Sequence, residues 1–104
     1  MIAFDCGSLV ATGSTQGTAA AIANDTVSIT STGVGQGAIL PGGCYRVLAR
    51  NSNALGGNNI SVYPPSGATI GTALVNVAVP VTPQNSILFI EISATHWAFV
   101  SVTG

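Results

Sequence analysis

The chain has 104 residues and a formal net charge of -1, with two Lys+Arg, three Asp+Glu and one His. Its 5% of charged residues, against roughly 25% in an ordinary soluble domain, and its mean hydropathy of +0.58 exclude a disordered chain, which needs low hydrophobicity with high charge. Arg46 and Arg50 are the only lysine or arginine residues, too few to neutralise a nucleic-acid backbone, and no apolar run reaches the ~20 residues of a membrane helix.

Residues 1–13 read as an N-terminal arm and residues 14–104 as a single β domain. The start, Met1-Ile2-Ala3-Phe4-Asp5, has neither the basic region nor the long apolar stretch of an export signal, so synthesis in a cytoplasm is expected. Cys6 and Cys44 allow one bridge but have no metal-ligand spacing, and they read as two small buried side chains. Residues 15–24 are alanine-rich behind Ser14, a possible cap. Gly17 and the threonines turn that reading toward a short or extended segment.

From residue 26 the pattern alternates. Val27 and Ile29 share one face of a half-buried strand, with hydroxyl residues on the other. A glycine-rich breaker follows, then Ala38-Ile39-Leu40 and the turn Pro41-Gly42-Gly43. In residues 44–51 Tyr45, Val47 and Ala49 face one way and Cys44, Arg46, Leu48 and Arg50 the other, which puts both arginines on one face of one strand. A polar loop leads to a short strand at 60–63, closed by Pro64-Pro65-Ser66-Gly67. Residues 74–81 alternate valines, and Pro80 assigns that strand to a sheet edge. Residues 87–94 and 97–102 form a terminal hairpin with Thr95 and His96 in its turn. The expected fold is all-β, a small sandwich or barrel of six or seven short antiparallel strands.

Little here carries chemistry. Asp25 and Glu91 are the best carboxylate pair for a glycosidase-type mechanism. Asp25 reads as a turn residue, however, and Glu91 as a mid-strand residue pointing away from the core. Cys44 and His96 lack a nucleophile signature, His96 has no second ligand at metal spacing, and the glycines lie in turns, not in a phosphate-binding loop. The triplets Asn24-Asp25-Thr26 and Asn59-Ile60-Ser61 match the glycosylation pattern without a secretion signal. No catalytic, cofactor or metal site is expected. A surface so poor in charge lacks the usual devices for solubility and edge protection, which points to burial against other subunits. The side chains best suited to such an interface are Phe4 on the arm, Tyr45, Arg46, Arg50, Tyr63, Trp97 and Phe99. For the aromatic residues core packing is the competing role.

The stretch Gly13-Ser14-Thr15-Gln16-Gly17-Thr18-Ala19, then Gly37-Ala38-Ile39-Leu40-Pro41, the strand ending at Asn51, Val62-Tyr63-Pro64-Pro65-Ser66-Gly67, and Ser93-Ala94-Thr95-His96-Trp97 occur in that order. In order and spacing they resemble small virion-associated proteins of tailed bacteriophages. The resemblance implies a capsid decoration or cement protein: an all-β homotrimer bound to the major capsid protein on the outside of the head, at the virion surface, without a cofactor, nucleic acid or membrane. A tail-fibre or adhesin domain is the competing reading, and it needs Trp97 or Tyr63 exposed for stacking on a host glycan.

Overall fold

The computed structural model describes residues 6–42 and 46–102, so Phe4, Cys44 and Tyr45 lie outside the described residues. The strands are β1 (Cys6–Val10), β2 (Ala20–Ala21), β3 (Thr26–Thr30), β4 (Gly37–Ile39), β5 (Arg46–Asn51), β6 (Ile60–Tyr63), β7 (Thr69–Ile70), β8 (Val79–Val81), β9 (Ser86–Ser93) and β10 (His96–Val102). Among the described residues, helix is confined to one 3₁₀ turn, Gln16–Thr18. The chain is all-β, in two sheets: six strands in the order β1-β3-β5-β9-β10-β7 and four in the order β2-β4-β6-β8.

The alternating residues supply the core. Val27, Ile29, Val47, Ala49, Ile87, Phe89 and Trp97 come from the larger sheet, and Ala38, Ile60, Val62 and Val81 from the smaller; all belong to one buried cluster. Most of these side chains are small or β-branched, which suits a period-2 strand with one buried face.

The expectation of six or seven antiparallel strands is corrected in number and in direction. β1, β3 and β5 run parallel to one another, as do β2, β4 and β6, and β7 is parallel to β10. Among the described strand pairs only β5–β9, β9–β10 and β6–β8 are antiparallel. From β1 to β6 successive strands alternate between the sheets, so the chain winds as three coils. Their register advances 20 residues from Cys6 to Thr26 and 22 from Thr26 to Leu48. Parallel neighbours need a long crossover, and here the crossover is a strand of the other sheet. Alternation has the same period in both directions, so it carries no information about strand sense.

Local expectations are adjusted as well. Within the expected arm, Cys6–Val10 forms β1 at the edge of the larger sheet. Cys6 is an exposed free thiol, not a buried side chain. Of residues 74–81 only Val79–Val81 is strand: Asn76 takes φ 66°, and Val75 and Val77 are 54% and 45% exposed. Pro80 does lie on an edge strand, opposite Ser61. His96 opens β10 opposite Ser93 instead of sitting in the turn, which Ala94 and Thr95 make. Glu91 shares the parity of Ile87 and Phe89, beyond the end of the buried run, and does not point opposite to them.

The two sheets differ in what covers their outer sides. On the smaller sheet Tyr63 faces outward, and its Oη donates to the Ser14 carbonyl at 3.1 Å. Gln16 beside it donates from Nε2 to the Pro64 carbonyl at 2.7 Å. The segment before β2 is thereby tied across this side. Among the described residues the outer side of the larger sheet has no such strap.

Candidate interaction surface

Register fixes which residues share the outer face of the six-stranded sheet. One row runs Cys6, Thr26, Leu48, Leu88, Val100. The next runs Ser8, Ser28, Arg50, Ser86, Val102, and a third runs Arg46, Ile90, Ala98. The face is therefore divided. Its β1–β3 half carries mostly hydroxyl groups, its β9–β10 half is aliphatic, and β5 sets both arginines along the border.

The aliphatic half is open to solvent. Ile92, Val100 and Val102 are 63%, 52% and 40% exposed, and Leu88, Ile90 and Ala98 are half-buried. Two strands spaced ~4.8 Å apart over about six residues give an aliphatic strip on the order of 200 Å², short of the few hundred Å² at which an apolar patch marks an interaction site by its size alone. Arg50 Nη2 donates to Gln84 Oε1 at 2.9 Å, and Gln84 Nε2 in turn donates to the Asn53 carbonyl at 2.7 Å. This holds one border guanidinium toward the turn before β9.

The residues singled out from sequence divide accordingly. Arg46 and Arg50 lie on this face, as the alternation requires. Tyr63 lies on the other sheet under its own strap. Trp97 is fully buried, so it takes the core role and offers no stacking surface for a glycan. Phe99 is on the inner side of β10 but 42% exposed, its ring centroid 6.3 Å from that of Phe89. The sequence reading missed Leu88, Ile90, Ile92, Val100 and Val102. The signal was present: residues 87–90 are apolar at both parities, the pattern of a strand covered on two sides.

The titratable groups form no comparable constellation. Asp25 lines a shallow hollow of about 270 Å³ with Ala23, Asn24 and Pro41. Glu91 is not among the described residues that line it. His96 Nδ1 is 2.9 Å from Thr69 Oγ1. Among the described residues no group of three His, Cys, Asp or Glu is placed to hold a metal ion, and no helix is long and apolar enough to cross a membrane. Comparison with protein families, curated proteins and solved structures gives no match for this chain.

Proposed function

We propose that the chain is a virion structural protein that decorates the outer surface of a tailed-phage head and stabilises it, acting as a homo-oligomer, a trimer in the resemblance stated above. The two sheets are then the layers of a β-sandwich, the smaller strapped by its own chain and the larger covered in the assembly. The observation that carries the reading is the uncharged aliphatic half of the larger sheet's outer face, on a chain with only 5% charged residues. Surface of this kind is stable when buried against protein.

Cementing needs no catalytic step. An oligomer that touches several copies of the major capsid protein turns modest single contacts into tight retention through high effective concentration. Binding only the assembled shell then stabilises that shell by mass action. Apolar contacts also keep their strength in salt that screens exposed ion pairs.

The test is co-sedimentation of the purified chain with expanded, undecorated heads of the phage that encodes it, at 0.1 M and about 1 M NaCl, between which the screening length falls from ~10 Å to ~3 Å. The reading requires saturable binding at a symmetry-related copy number at both salts. A chain that stays in the supernatant at every concentration overturns it, and glycan-array binding in its place would establish the adhesin reading.

A further inference from the structure

Strand β10 has two different edges along its length. Its first two residues, His96 and Trp97, pair with Thr69 and Ile70, and the Trp97 carbonyl accepts the Gly71 N–H at 2.8 Å. At Gly71, with φ 59°, the chain turns away. Among the described residues no strand pairs with this side of β10 from Ala98 to Val102.

The N–H and C=O of one strand residue leave on the same side and alternate along the strand. Trp97 faces this edge, so Phe99 and Ser101 face it too, while Ala98, Val100 and Val102 bond to β9. The free edge therefore offers two donors and two acceptors. Residues 97–102 contain no charge, proline or glycine, the devices that blunt an edge. By contrast β8, an edge strand of the other sheet, carries Pro80.

We propose that the β10 edge pairs with the same edge of a second copy, antiparallel about a two-fold axis through Val100. In this register Phe99 meets the partner's Ser101, and the reverse. Each of these two pairs exchanges two backbone hydrogen bonds, so all eight free groups are satisfied. Large meets small in the Phe99–Ser101 and Ala98–Val102 pairs, and Val100 meets its own copy on the axis. No charge repels, and the half-exposed ring of Phe99 gains a neighbour. A register centred on Phe99 would instead set the partner's Ser101 against Trp97, whose carbonyl Gly71 already occupies. The chosen register also joins the two aliphatic half-faces into one continuous surface. The contact does not rest on the capsid reading; within a decoration layer it is the one that joins each trimer to its neighbours.

A cysteine on the two-fold axis tests this on the purified chain, in a Cys6→Ser, Cys44→Ser background. Val100 and the partner's Val100 form a non-hydrogen-bonded pair with Cα atoms ~4.5 Å apart, within the ~4.4–6.8 Å that a disulfide spans. Val100→Cys should convert to the covalent dimer under mild oxidation. Val102→Cys should not, its twin being about 14 Å away along the strands, whereas mixing Val102→Cys with Ala98→Cys should give the cross-linked pair. Ser101→Pro removes one edge donor that β9 does not use, and its light-scattering mass should fall by half. Absence of cross-linking in Val100→Cys, equal self-cross-linking in Val102→Cys, or an unchanged mass in Ser101→Pro overturns the pairing. Pelleting with heads is read separately, so failure of the cement reading leaves these results intact.

Discussion

The side-chain amide of Asn51 donates to the Val81 carbonyl at 2.7 Å, and this bond joins β5 of the larger sheet to β8 of the smaller. Asn51 is 1% exposed. Its Nδ2 also donates to the Asn58 carbonyl at 2.9 Å, and its Oδ1 accepts the Asn53 N–H at 3.0 Å. The Asn53 amide extends the network to Ser31 Oγ and the Asn58 carbonyl, both at 2.9 Å. One buried side chain thus ties together the corners where the chain passes from sheet to sheet. Asn51→Ala takes a partner from the Val81 carbonyl, the Asn53 N–H and the Asn58 carbonyl, which keeps Asn53 Nδ2, and is expected to lower stability by about 2–4 kcal/mol. Asn51→Asp should cost more, because it aims a carboxylate at two carbonyl oxygens. Urea midpoints of the two variants and the parent check both magnitude and order.

Trp97 is fully buried, and its Nε1 has no hydrogen-bond partner. An orphaned buried donor costs ~1–3 kcal/mol, which offsets what Trp97→Phe loses in packing. That variant should lie within about 1 kcal/mol of the parent, whereas Trp97→Ala should lose about 3–5 kcal/mol. Trp97 is the single tryptophan, so its emission should be blue-shifted in the folded chain and unmoved when a partner binds. A red shift on association would place it at an interface instead.

Part of this arrangement was legible from alternation alone. The inward faces of β3 and β5, the edge position of Pro80 and the terminal hairpin all follow from period and turn chemistry. Winding into coils was not legible. β2 and β7 have two residues each and β4 has three, too few to show a period, and strand sense leaves no mark on alternation. Residues 74–77 misled for a local reason: Asn76 adopts a left-handed φ that breaks the strand its neighbours imitate. The aliphatic face was legible in principle, yet a run apolar at both parities was read only as a hairpin.

Close approach explains a requirement for glycine at two positions. A Cβ at Gly37 would stand 2.6 Å from the Ser61 carbonyl oxygen and 2.7 Å from Tyr63 Cε2. One at Gly71 would stand 2.6 Å from Phe99 Cε1, on a residue with φ 59°. Gly37→Ala must move β6 backbone and is expected to cost about 2–3 kcal/mol. Gly71→Ala pays ~1–2 kcal/mol for its backbone, while the Phe99 ring is free to swing toward solvent. Thermal or chemical denaturation should rank Gly37→Ala as the more damaging of the two.

The loop between β7 and β8 holds its shape through Asn76. Its Oδ1 accepts the Gly67 N–H at 2.7 Å and Gln16 Nε2 at 3.1 Å, and its N–H donates to the Ala68 carbonyl at 3.0 Å. Leu74 at the tip is 78% exposed. Asn76→Ala loses two accepted bonds and places alanine at positive φ, so a loss of about 2 kcal/mol is expected. The opening should be local: amide exchange and proteolysis should accelerate in residues 71–78, with β3, β5 and β9 unchanged. Uniform acceleration across the chain would show that the clasp belongs to the global fold.

The central claim is that the free edge of β10 pairs with the same edge of another copy and so joins their outer faces. Light scattering of the purified chain over a range of concentrations, at low salt and at 1 M NaCl, where screening shortens to ~3 Å, tests it most directly. The account predicts a mass of at least twice 10.3 kDa at both salts, and loss of that association in Val100→Lys. A mass of 10.3 kDa at every concentration would contradict it.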